Sequence, residues 1–119
     1  MKQLRNLHEM TFDDYRIESI KRVARKNHAK IWTNVVQRLE QKHEINVGKL
    51  SKVTKTGDVV AVPGKVLGAG VIEHSITIGA VSFSESAKEK IKSAGGTIML
   101  IEKLVETNPD GKGVKIFVG

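Results

Sequence analysis

The sequence predicts an α+β protein, with an N-terminal helical pair followed by a small domain of short strands and one main helix. Three observations predict it. Apolar residues recur at helical spacing through residues 11–42, and the period falls to two in several short runs beyond residue 45. A capped helical stretch near residues 84–94 then interrupts those runs. The 119 residues suit one compact unit, divided into a basic helical region, 1–44, and an α+β core, 45–119.

The first helix begins at Thr11-Phe12-Asp13-Asp14, where a threonine oxygen can accept from an early amide and two carboxylates sit at the positive helix end. It should run to about Lys26. Ile17, Ile20, Val23 and Ala24 mark its apolar side, and Lys21, Arg22, Arg25 and Lys26 spread over the other as a basic face. Asn27-His28 ends it. A second helix is expected over about 29–42, where Ile31, Trp32, Val35, Val36 and Leu39 form a buried stripe with Trp32 as a core anchor.

Ile45 to Leu50 alternates like a short strand or extended segment, and Ser51 to Asp58 reads either as a basic arm or as a surface loop. Asp58 to Val62 is an apolar run whose pairing should end at Pro63, which has no amide proton. Val71-Ile72 and Ser75 to Val81 are further strand candidates, the second with Ile76, Ile78 and Ala80 on one face. Ser82-Phe83-Ser84-Glu85 offers a capping box, or Ser84 itself as the cap, for a helix burying Ala87, Ile91 and Ala94. Gly95-Gly96 stops that helix. Thr97 to Leu100 follows as a strand, Ile101 to Val105 as one helical turn, Asn108 to Gly113 as a turn-rich loop, and Val114 to Val118 as a closing strand.

Composition narrows the function. The formal net charge is +7, and residues 1–50 carry eleven Lys/Arg against six Asp/Glu. Such an excess favours polyanionic partners. Without cysteine there are no disulfides, thiolate metal sites or cysteine nucleophiles, and four dispersed histidines make no local metal motif. No apolar run is long enough to span a bilayer, and the N-terminus lacks a signal-peptide core, so a soluble chain that is not exported is expected.

Pro63 to Gly70 sets Lys65 among Gly64, Gly68 and Gly70, a design that lets amides and an ammonium approach an anion. It is no nucleotide loop. Val59 and Val66 break the phosphate-loop pattern, and Glu73 occupies the last glycine position of the dinucleotide fingerprint. No nucleophile elbow or triad spacing is present, so no catalytic residue is assigned and no enzyme is expected. The helical pair leaves a DNA-binding regulator as an alternative. Against it, the positive charge is concentrated on the first helix and Glu40 lies on the second.

Several segments together carry a resemblance: Ile31-Trp32 and Leu39; Ile45 to Leu50 (INVGKL); Val62 to Gly68 (VPGKVLG); Ser86-Ala87; Ala94-Gly95-Gly96; and Asn108-Pro109 with Gly111. Over essentially its full length the chain resembles the archaeal and eukaryotic large-ribosomal-subunit family L-eighteen-e, whose C-terminal part is similar to bacterial L-fifteen. The resemblance implies a structural protein of the large subunit that binds ribosomal RNA and neighbouring ribosomal proteins. It implies a cytoplasmic location in the ribosome, no catalysis, no cofactor, no membrane and no small-molecule substrate. Together with the basic and glycine-rich segments, it makes Lys21, Arg22, Arg25, Lys26, Lys30, Lys49, Lys52, Lys55, Gly64, Lys65, Gly68 and Lys112 the RNA-binding candidates.

Overall fold

A computed structural model describes residues 12–27, 30–39 and 43–118, without the side chains of 12–14, 25–27 and 30. The elements run α1 (Phe12–Asn27), α2 (Lys30–Arg38), β1 (His43–Asn46), α3 (Val47–Val53), β2 (Val59–Leu67), β3 (Thr77–Phe83), α4 (Glu85–Ser93), β4 (Thr97–Leu100), α5 (Ile101–Thr107) and β5 (Val114–Ile116). The N-terminal helical pair and the strand domain with its main helix, α4, are thus present. All pairings are parallel. β2 is central, with β3 and then β4 on one side. On its other side β5 pairs with the first half of β2 and β1 with the second.

A parallel sheet must be covered on both faces, and the central strand accordingly reads as a nearly continuous apolar run. Val60, Val62 and Val66 of β2 join Ile78 and Ala80 of β3 under α3, α4 and the loop leading into β3, together with Ile45, Leu50, Ile72, Ile76, Ala87 and Ile91. Ala61 faces the opposite way, into a second core of Ile20, Ala24, Trp32, Val35, Leu39, Ile101, Leu104 and Val105 beneath α1, α2 and α5. The sheet therefore separates two helical layers. Gly79 makes a close join in the second, because a Cβ there would lie 2.6 Å from the Leu104 side chain.

Several local expectations hold. Trp32 is fully buried, and its indole Nε1 donates to the Asn108 and Pro109 carbonyls at 2.9 and 3.1 Å. Ser84 caps α4 by accepting from the Ala87 amide. Gly95, at φ 82°, closes the same helix, and the Gly96 amide returns to the Ile91 carbonyl.

Three expectations are corrected. Residues 47–53 form helix α3 instead of continuing an extended segment and basic arm. Val47, Leu50 and Thr54 fit a helical period as well as Ile45 and Val47 fit a strand period, and burying the first set under α4 decides between them. Pro63 does not end the ladder, because β2 passes through it. Three residue steps from Val62 to Lys65 oppose two on β3, a bulge that accommodates the missing amide. Val71-Ile72 forms no strand and belongs to the loop between β2 and β3.

Candidate nucleic-acid interface

The α3 helix turns Val47 and Leu50 inward, which leaves Lys49 and Lys52 exposed. Beside them the chain leaving β2 is clasped from two directions. On one side the Gly48 amide donates to the Ala69 carbonyl at 3.0 Å. On the other, Lys90 of α4 donates its ammonium to the carbonyls of Gly68 and Gly70, at 2.5 and 2.7 Å. Gly70 has φ 92°, and a Cβ on it would fall 2.5 Å from the Gly48 Cα, so only glycine fits this crossing. Between α3 and the loop lies an open groove of about 630 Å3, lined by Asn46, Gly48, Lys49, Ser51, Lys52, Ala69, Gly70 and Val71. No acidic side chain lines it.

The other candidates are dispersed. Lys55 is exposed beyond the C-terminal end of α3, where its amide donates to Asp58 Oδ2 at 2.8 Å. That bond and Lys115, whose ammonium lies 3.0 Å from the same oxygen, hold the Asp58 carboxyl below the usual carboxylate range. Lys65 is exposed on β2 and stands in register with the exposed Glu44 of β1. Lys112 is exposed in the loop before β5, and its amide donates to Asp110 Oδ1. Arg22 is exposed on α1, across the sheet from α3. The side chains of Arg25, Lys26 and Lys30 lie outside the described residues.

Three candidates have structural work instead. Lys21 is only 4% exposed and reaches Glu18 Oε1 at 3.7 Å, so it belongs to the packed side of α1 and not to a basic face. Its position explains this: Ile17, Ile20, Lys21 and Ala24 fall at i, i+3, i+4 and i+7, inside the buried stripe. The sequence predicts that Gly64 and Gly68 let an anion approach, but protein atoms occupy that space. A Cβ at Gly64 would be driven into the His43 carbonyl of β1, and one at Gly68 into the Ser86 side chain at the start of α4. These glycines serve close packing within the protein.

Two cations with structural roles are not singled out by the sequence. Arg16 of α1 brackets the Glu102 carboxylate of α5 at 3.2 and 3.4 Å and also donates to the Val81 carbonyl of β3, fastening the helical layer to the sheet. Lys90 holds the loop beside the groove. Nothing in their local sequence marks either one, since each depends on a partner far along the chain. Among the described residues no group of three His, Asp or Glu side chains could hold a metal ion, and no helix is long and apolar enough to cross a membrane.

Residues 19–99 match the family described as ribosomal proteins 50S-L15, 50S-L18e and 60S-L27a. The chain belongs to this family. It is 45% identical over 101 residues to the large ribosomal subunit protein eL18 of Methanoregula boonei, covering 82% of this chain and 84% of that one. To eL18 of Methanococcus maripaludis it is 43% identical over 104 residues, with 84% and 87% covered. To eL18 of Archaeoglobus fulgidus the identity is 45% over 97 residues, with 78% and 83% covered. The matched span runs from the middle of α1 to β4 and includes all of α3, the clasped loop and α4.

Proposed function

We propose that this chain is a structural constituent of the large ribosomal subunit, working in the cytoplasm as part of the ribosome, and that it binds ribosomal RNA through the cationic edge formed by α3 and the loop after β2. The carrying observation is the similarity to eL18 proteins, which extends over more than three quarters of each chain. Geometry supports the choice of edge. Lys49 and Lys52 are exposed, share one helix and border a groove with no carboxylate in its lining. Such ammonium groups displace counterions from phosphates and supply most of the sequence-independent affinity. Arg22, Lys55 and Lys112 add exposed positive charge elsewhere on the surface, suited to further phosphate contacts or to neighbouring ribosomal proteins.

The role is structural and not enzymatic, as membership of a ribosomal protein family implies. The DNA-reading alternative gains no support from α2. Its Trp32 and Val35, with Leu39 just beyond its end, are spent on the second core, and the Arg38 guanidinium bonds back to Asn34 of its own helix. Sedimentation of a tagged chain in a host lysate tests the proposal. The chain is expected in the large-subunit peak and should stay there at moderate salt. Recovery at the top of the gradient, or loss at the first salt increment, would contradict a built-in component.

A further inference from the structure

The groove beside α3 has a feature that phosphate binding does not use. Val71, at the tip of the clasped loop, is 65% exposed, the most exposed of the large hydrophobic side chains among the described residues. Ala69 beside it is exposed too, and both line the same groove as Lys49 and Lys52. The loop bearing them is fixed in place. Its carbonyls at Gly68, Ala69 and Gly70 accept from Lys90 and from the Gly48 amide, and the Gly48–Gly70 crossing leaves no room for a Cβ. Glu89 of α4 borders Val71 only on the opposite side, so on the α3 side a preorganised apolar tip beside two cations matches a partner with an apolar face bordered by negative charge.

Within RNA that description fits a nucleotide outside a duplex. In a helix the base faces are stacked and only phosphates, ribose hydroxyls and base edges are offered, so an apolar protrusion would find nothing to cover it. An unpaired nucleotide presents its base face with a phosphate on either side. We infer that this groove seats an unpaired nucleotide of the ribosomal RNA, with its base face against Val71 and Ala69 and its flanking phosphates at Lys49 and Lys52. Lys90 acts as a positioning residue, its charge directed to the loop carbonyls and not to the RNA. This assignment rests on the ribosomal RNA-binding reading above and adds the form of the RNA that is bound.

The test uses the full chain and large-subunit ribosomal RNA carrying 4-thiouridine in place of a fraction of its uridines. Irradiation of the wild-type complex should crosslink the peptide containing Ala69 to Val71, and the crosslinked nucleotides should lie in unpaired positions. Affinity is then measured against salt for two variants. Val71→Ala should weaken binding about fivefold with an unchanged salt slope, because it removes apolar contact and no charge. Lys90→Met should weaken binding as well, and Lys90→Arg should restore most of it. Crosslinks confined to duplex positions or absent from residues 69–71, together with an unaltered affinity for Val71→Ala, would overturn the inference and leave the RNA-binding reading intact. A wild-type chain that fails to bind the RNA at all would overturn both.

Discussion

The two faces of the sheet use positive charge in opposite ways. Beneath α1, α2 and α5, Arg16 and Lys21 are drawn into the packing, one bonded to Glu102 and Val81, the other nearly sealed from solvent beside Glu18. On the side of α3 and α4, Lys90 is the internal fastener and Lys49 and Lys52 are left exposed to solvent. The count of cations in each half of the sequence points to the N-terminal helices as the interface. The proposed interface lies instead at α3, where Lys49 and Lys52 stay exposed, because charge counts for binding only where packing has not consumed it. Lys21 teaches this directly, being one residue from exposed Arg22 and yet buried.

Breaking the helical layer itself should have the largest effect. Trp32→Ala removes a fully buried side chain together with its bonds to the Asn108 and Pro109 carbonyls. A drop of about 4 kcal/mol is expected from denaturant unfolding, a large share of the stability of a domain this size. On the opposite face, Gly68→Ala pushes a methyl into Ser86 and should cost about 2 kcal/mol. If that variant kept full stability but no longer bound RNA, Gly68 would be an RNA contact after all.

The charges can be separated next. Arg16→Met leaves Glu102 and the Val81 carbonyl without their guanidinium partner in a partly buried setting, for a destabilisation of roughly 2 kcal/mol and no direct effect on RNA affinity. A smaller effect belongs to Asp58. Its carboxyl titrates below the ordinary value because it accepts from the Lys55 amide and pairs with Lys115. The stability it contributes is therefore present above the unfolded-state value near pH 4 and is lost as pH falls through the lower folded-state value. Asp58→Asn should flatten the stability profile in that acid window and leave neutral-pH binding unchanged, as thermal melts across pH would report.

How much of this could be read in the sequence depended on whether a signal was local. The Trp32 stripe, the Ser84 cap, the double-glycine stop and the Ile76, Ile78, Ala80 face each rest on residues close together in the chain, and each stands in the structure. Parallel pairing did not show, because it is set by how the connections cross the sheet. The segment 45–53 fitted both periods, and only burial under α4 selects the strand-to-helix switch at Asn46. Of the surface proposed to bind RNA, the sequence marks Lys49 and Lys52 as basic residues, but the purpose of Gly64 and Gly68 depends on His43 and Ser86, and the clasp depends on Lys90, twenty residues beyond the loop it holds. Lys21 alone carried a usable local sign, its place within the Ile17, Ile20, Ala24 stripe.

The most direct test of the contrast between the faces is the salt dependence of binding to large-subunit ribosomal RNA for two variants of the full chain. Replacing Lys49 and Lys52 by Gln should leave the unfolding midpoint nearly unchanged and lower the log–log salt slope by roughly 0.7 to 0.9 for each phosphate no longer neutralised. Lys21→Gln should lower stability and leave the slope as it was. A slope that falls for Lys21→Gln, or holds for the Lys49 and Lys52 pair, would place the binding charge on the other face and contradict this account.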